Sequence, residues 1–215
     1  MNSPVYGPAG RRPGARPTSR GLSRGFTLVE LLVVMAIAAI LLTIAVPSYQ
    51  STITTYRIST EVNALVGDLQ YARSEAVKQG MTVTVCASAD ALTCSGGTNW
   101  NAGYIVLTNP NNALTPSTGS NPPSTILRVQ RTFSGTDTIT GGTAAVSFNR
   151  DGFAGLPQGS WNAFAALAQP VTLAVRPTPV VANVGSCAVI SNIGQISVLG
   201  AGKTSNTAAT TPVTC

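Results

Sequence analysis

The chain has 215 residues, 44% hydrophobic and only 9% charged, enough for one globular domain with attached segments but not for two full domains. Its formal charge of +6 comes from 13 basic and seven acidic residues, but Arg11, Arg12, Arg16, Arg20 and Arg24 all precede the first acid, Glu30; past residue 25, eight basic residues face seven acidic ones, which argues against a chain-wide phosphate-binding surface. Histidine is absent, which removes His-ligated metals, Ser-His-Asp triads and Cys-His dyads; no nucleophile constellation is recognisable, so the chain reads as a non-enzyme without cofactor or metal.

Residues 1–25, rich in Pro, Gly and Arg, form a basic leader. Residues 26–46 are a 21-residue apolar run whose sole charge is Glu30. As a helix this run spans about 30 Å, one hydrocarbon thickness. Arginines precede it and the next charge is Arg57, so the positive-inside bias keeps the leader cytoplasmic and places the rest outside. A secretory signal peptide is the rival reading, with Ala36-Ile37-Ala38 as its small-residue cleavage site. Glu30 argues against it, because a carboxylate in an apolar run costs up to about 3 kcal/mol on insertion and needs a compensating partner.

The stretch Arg24-Gly25-Phe26-Thr27-Leu28-Val29-Glu30-Leu31-Leu32-Val33-Val34 resembles the cleavage site and helix start of type IV pilins and pseudopilins. The resemblance implies that a membrane-embedded prepilin peptidase cuts after Gly25 and that the freed Phe26 is N-methylated. It also implies that Glu30 neutralises the terminal amine of a neighbouring subunit during filament assembly. The residue chemistry fits: glycine lets an extended backbone enter a protease cleft, and the Phe26 ammonium would lie one helical turn from Glu30.

Pro47 removes a backbone donor and crowds the preceding turn, which predicts a kink or local unwinding. An amphipathic continuation over residues 47–80 follows, with Ile53, Tyr56, Val62, Leu65, Val66, Leu69, Ala72, Ala76 and Val77 mostly three or four apart and Gly80 as C-cap. A single helix over residues 28–79 would be about 78 Å long. Asp68 with Arg73, and Glu75 with Lys78, are candidate exposed ion pairs.

From residue 81 to 215 the pattern changes to a β-rich head. Strands are predicted at 81–87, 103–108, 125–133, 144–149, 171–176, 187–191 and 195–199, with loops at 109–124 and 155–159. Val83 and Val85 alternate with Thr82 and Thr84, and Val171, Leu173 and Val175 with Thr172, Ala174 and Arg176. The four cysteines, Cys86, Cys94, Cys187 and Cys215, all lie in this head and suggest an oxidising compartment with two disulfides. Neighbour pairing is preferred among the three connectivities, and a four-cysteine metal site is disfavoured because no C-x2-C pair is present.

A second resemblance begins where helix meets head. The residues Leu69-Gln70-Tyr71-Ala72-Arg73-Ser74-Glu75-Ala76-Val77-Lys78, then Val83-Thr84-Val85-Cys86, Cys94, Trp100 and Gly103-Tyr104-Ile105-Val106, are similar to the GspH/FimT family of minor pilins and pseudopilins. With the N-terminal motif it covers residues 24–107 well and the remainder loosely. It implies an α+β fold: a long N-terminal helix, transmembrane in its first half, packed on an antiparallel head of two small sheets. It further implies a structural subunit that helps start or cap a type IV pilus, with an H-type pseudopilin of type II secretion as the alternative. The surroundings of Cys86 and Cys94 look more like the pilus branch. The implied partners are other pilin subunits through the N-terminal helix, the prepilin peptidase and an inner-membrane assembly platform. The implied location is the bacterial inner membrane, single-pass with a periplasmic head, and then a pilus or pseudopilus.

DNA is a disfavoured partner. Family members that bind it use a Gly-Arg-x-Arg element, and the corresponding Gly194-Gln195-Ile196-Ser197 lacks both arginines. Arg128, Arg131, Arg150, Arg176 and Lys203 read as surface charge. Gly200-Ala201-Gly202-Lys203-Thr204 reads as a turn rather than a phosphate loop. Trp100 and Trp161 suit a core, an interface or an exposed tip equally. Asp90, Asp137 and Asp151 are the acids of the head, and Asp151-Gly152 reads as a turn.

Overall fold

The structure, a computed structural model, describes residues 25–113, 116, 123–133, 137–158, 164–181, 184–205 and 213–215. The leader arginines and Trp161 lie outside the described residues. The chain divides into two compact units, Met1–Ala45 and Val46–Cys215.

A single helix, α1 (Leu28–Gln79), runs through residue 47 without interruption. Proline there has no N–H, so the carbonyl of Thr43 loses its usual helical donor. In the first unit the large apolar side chains between Phe26 and Ile44 are all more than half exposed. In the second unit Ile58, Val62, Leu65, Leu69, Ala72 and Ala76 are no more than 1% exposed. They follow one another at alternating steps of four and three, one seam along the helix.

The sequence reading placed Ile53, Tyr56 and Val77 on this seam as well, but they are 47%, 69% and 53% exposed. At about 100° per residue Tyr56 points about 200° away from Ile58, and Val77 about 100° away from Ala76. Ile58, not Tyr56, continues the buried row. Gly80 follows the helix with φ +67°, the left-handed geometry that ends a helix at no Cβ penalty.

The head contains β1 (Val83–Ala87), β2 (Gly103–Thr108), β3 (Ile126–Arg131), β4 (Thr138–Gly141), β5 (Ala145–Phe148), β6 (Ala154–Leu156), β7 (Ala165–Ala166), β8 (Val171–Arg176), β9 (Ser186–Ile190), β10 (Ile196–Gly200), β11 (Thr204–Ser205) and β12 (Val213–Thr214). Six strands form one antiparallel sheet in the order β3-β2-β1-β5-β6-β7, four form a second in the order β10-β9-β8-β4, and β11 pairs with β12 in a ribbon. Sequence reasoning missed β4, β6, β7 and the ribbon, and β6 lies where a loop was expected from residue 155. Thr-Ile-Thr-Gly and Ala-Gly-Leu are too short for alternation to register; pairing with β8 and β5 makes them strands.

The helix seam and both larger sheets share one core, which includes Val83, Val85, Tyr104, Val106, Phe148, Leu173 and Ile190. The alternation expected for β1 is present, but both of its faces are covered. Thr84 is fully buried; its Oγ1 pairs with Ser147 Oγ at 2.8 Å and accepts from Asn109 Nδ2 at 2.9 Å, so neither of these two hydroxyls is stranded. Cys86, Cys94, Ile105, Leu107 and Ala145 form a second apolar cluster on that side. Disulfides join Cys86 to Cys94 and Cys187 to Cys215. Trp100 is fully buried with its Nε1 donating to Thr143 O at 3.0 Å, which makes it a core residue.

Candidate assembly interface

The N-terminal site begins with Gly25, Phe26 and Thr27, which precede the helix. Among the described residues nothing lies within 4 Å of a Cβ built on Gly25, so their packing does not demand glycine there. Phe26 is 79% exposed. Thr27 caps the helix: its Oγ1 accepts from the Glu30 N–H at 3.2 Å while its carbonyl accepts from the Leu31 N–H at 3.1 Å. Glu30 thus occupies the first turn, where the positive end of the helix dipole favours an anion, and its side chain is exposed. Sequence reasoning missed the cap, although Thr-x-x-Glu before an apolar run is its signal.

Beyond Glu30 the surface is apolar on every side. An 18-residue stretch of α1 reaches a mean hydropathy of 2.8 with none of it buried, long and apolar enough to cross a membrane. In water such a surface is unstable, so lipid or other apolar helices must cover it.

In the head, charged groups hold the helix to the sheets. Arg57 donates from Nε and Nη2 to the two carboxylate oxygens of Asp137, at 2.6 and 2.7 Å, and the Asp137 side chain has no exposure. The hydrogen bond that Arg57 donates to Asp137 raises its pKa further, so this guanidinium stays charged. Asp68 accepts from Arg128 Nη1 at 2.6 Å and from the Tyr104 hydroxyl at 2.9 Å, and Arg128 stacks 3.8 Å above the Tyr71 ring. Burial, then the Asp68 charge, pushes the Tyr104 pKa up and keeps its hydroxyl protonated as a donor. The expected pairing of Asp68 with Arg73 is not what the structure shows. Five residues apart, the two point about 140° away from each other around the helix. Arg73 donates instead to the carbonyls of Gly152 at 3.0 Å and Ile193 at 3.3 Å. Lys78 and Glu75 do pair, at 3.2 Å.

Gly194-Gln195-Ile196-Ser197, the place of the missing arginine element, forms the exit of a turn and the start of β10. Gly194 has φ +74°, and a Cβ there would lie 2.0 Å from the Gly152 carbonyl oxygen, so glycine is needed for this approach. Asp151-Gly152 is a turn, with Asn149 Oδ1 accepting from the Asp151 and Phe153 amides. Arg57 and Arg73 of α1 and Arg128 of β3 donate to acceptors across the helix–sheet contact.

A capped, apolar, exposed helix bearing one acid in its first turn, continuous with a half seated on a disulfide-bonded antiparallel head, is the architecture of a pilin-type subunit. The chain belongs to the GspH family: the model described as type II transport protein GspH matches residues 61–179, and the prokaryotic N-terminal methylation motif matches residues 20–46. Similar solved structures include the type IV minor pilin FimU of Pseudomonas aeruginosa, 21% identical with a TM-score of 0.48, covering 66% of this chain and 87% of that one. The minor pseudopilin EpsH of the type 2 secretion system of Vibrio cholerae is 11% identical with a TM-score of 0.45, covering 68% and 99%. Comparison with curated proteins finds no match. The chain is thus a minor pilin or pseudopilin, a structural subunit of a type IV pilus or type II secretion filament.

Proposed function

We propose that the chain is a minor pilin that helps start or cap a type IV pilus. Prepilin peptidase cuts between Gly25 and Phe26, Phe26 is methylated, and residues 26–46 hold the subunit in the inner membrane with residues 1–25 cytoplasmic and residues 81–215 periplasmic. On assembly the same helix joins the helices of other subunits at the inner-membrane platform. Glu30 then meets the terminal amine of an adjoining subunit, and the helix bends at Pro47, where the Thr43 carbonyl has lost its donor.

The observation that carries this reading is the exposed apolar helix stretch, capped by Thr27 and bearing one carboxylate in its first turn. A bare anchor gains nothing from a carboxylate at that depth, whereas a helix that docks beside a neighbour's ammonium does. Mass spectrometry of the mature N-terminus tests it: methylated Phe26 is expected, and a start at Ala39 would restore the signal-peptide account. Glu30→Gln keeps the cap and the anchor, so the chain should still reach the membrane while its recovery from sheared filaments falls. The second reading, supported by the description of the matched family, is an H-type pseudopilin. Deletion separates the two, since loss of pili supports the first and loss of exoprotein secretion the second.

A further inference from the structure

The four edges of the two larger sheets are not protected alike. β3 carries Arg128 and Arg131, and its register with β2 shifts between Val106 and Leu107. Charges and irregularities of this kind discourage pairing with another chain. β7 has only two residues. The outer side of β4 is occupied: the Ile139 carbonyl accepts from the Trp100 amide, the Gly141 amide donates to the Thr98 carbonyl, and Asn99 bridges Thr140. β10 differs on each count. Its five residues, Ile-Ser-Val-Leu-Gly, contain no charge and no proline, and among the described residues no strand pairs with its outer side.

The core is also unfinished at this edge. Leu173, Ala188 and Val198 stand opposite one another on β8, β9 and β10 in the row that faces the helix. The first two are fully buried, whereas Val198 is 47% exposed because the row ends there. Beside the start of β10 a cleft of about 620 Å³ separates the strand from the last turns of α1; Val77 and Ile196 line it together with the charged Arg73, Lys78 and Asp151. Val77 is 53% exposed. An open row of main-chain donors and acceptors lies next to a cleft in which Val77 and Ile196 present apolar surface between polar and charged neighbours, and that combination fits one more strand rather than a helix or a nucleic acid.

We propose that β10 is a docking edge at which an extended, uncharged segment of an adjoining filament subunit adds as a fifth strand, placing alternate apolar side chains over Val198, Ile196 and Val77. The inference rests on the filament reading above. Main-chain hydrogen bonds supply the attachment, and the exposed Val198 and Val77 favour apolar side chains at every second position.

The test uses the full-length chain in cells that assemble the filament. Val198→Lys puts a charge on the core side of the edge, where it blocks an added strand but can reach solvent in the lone subunit. Val129→Lys makes the same change on β3, whose edge already bears two arginines, and serves as the control. Val198→Lys should reduce recovery in sheared filaments by about tenfold at an unchanged membrane level, because the ammonium would be buried unpaired. Val129→Lys should leave recovery unchanged. Wild-type recovery of Val198→Lys, or an equal loss from both variants, overturns the docking edge. Absence of the unmutated chain from filaments overturns both this and the filament reading. A detergent-solubilised dimer that Val198→Lys converts to monomer would make the occupant a second copy and overturn the assignment to an adjoining subunit. Hydrogen exchange needs no variant: β10 amides should exchange at least about tenfold more slowly in filaments than in detergent, and equal rates would refute the pairing.

Discussion

A carboxylate with no solvent exposure is costly unless a cation reaches it, and Asp137 is met by Arg57 through both of its oxygens. Because Arg57 keeps 36% exposure, the loss on Asp137→Asn falls below that for a fully buried pair, at about 2 kcal/mol. Thermal unfolding under non-oxidising, non-reducing conditions measures it, and an unchanged Tm would show that the latch contributes nothing. Asp90 acts locally. It accepts from the Leu92 and Thr93 amides, from Thr93 Oγ1 and from Ser88 Oγ inside the loop closed by Cys86 and Cys94. These bonds, the backbone ones first, hold its pKa well below the usual carboxylate range. A depressed folded-state pKa means the contribution is complete above the unfolded value, about pH 4, and is lost only as pH falls through the lower folded one. The Leu92 and Thr93 amide resonances should therefore hold steady from neutral pH to below about pH 4; a midpoint at 4 would count against the turn.

At the scale of elements, the packed half of α1 is held by its seam rather than by propensity. Ser51, Thr52, Thr54, Thr55, Ser59 and Thr60 all return their hydroxyls to helix carbonyls three or four residues back, a pattern that adds little or bends a helix. Leu65→Ala should cost about 3 kcal/mol through the cavity it leaves, and Ile53→Ala less than about 0.5 kcal/mol; denaturant titration separates them. The seam was legible because spacing of three and four is a local signal, and Val62, Leu65, Leu69, Ala72 and Ala76 all belong to it. Which apolar residues flank it was not. Tyr56 and Ile58 are both apolar, and only the position of the sheets decides which is buried. For the same reason β1 and β2 could be read from their own residues, while β4 and β6 exist through their partners.

For the whole molecule, the two disulfides do different work. Cys86 and Cys94 are eight residues apart and lie within a buried cluster, whereas Cys187 and Cys215 are 28 apart and fasten the β11–β12 ribbon to β9. Changing both Cys187 and Cys215 to Ser releases the ribbon and about 3 kcal/mol of restraint on the unfolded chain. Limited proteolysis should then cut first after residue 200, leaving the rest of the head intact; uniform digestion would place the bridge in the core instead. The length and polarity of the N-terminal helix, the position of Glu30 four residues from Phe26, and the β character of residues 81–215 were determined by sequence alone, since each is a pattern over a few neighbours. The latch between Arg57 and Asp137, the acceptors of Arg73, the partners of Asp68 and the open edge at β10 were decided by tertiary structure. Those contacts join residues 36 to 120 positions apart, or follow from strand order, and no local period encodes either.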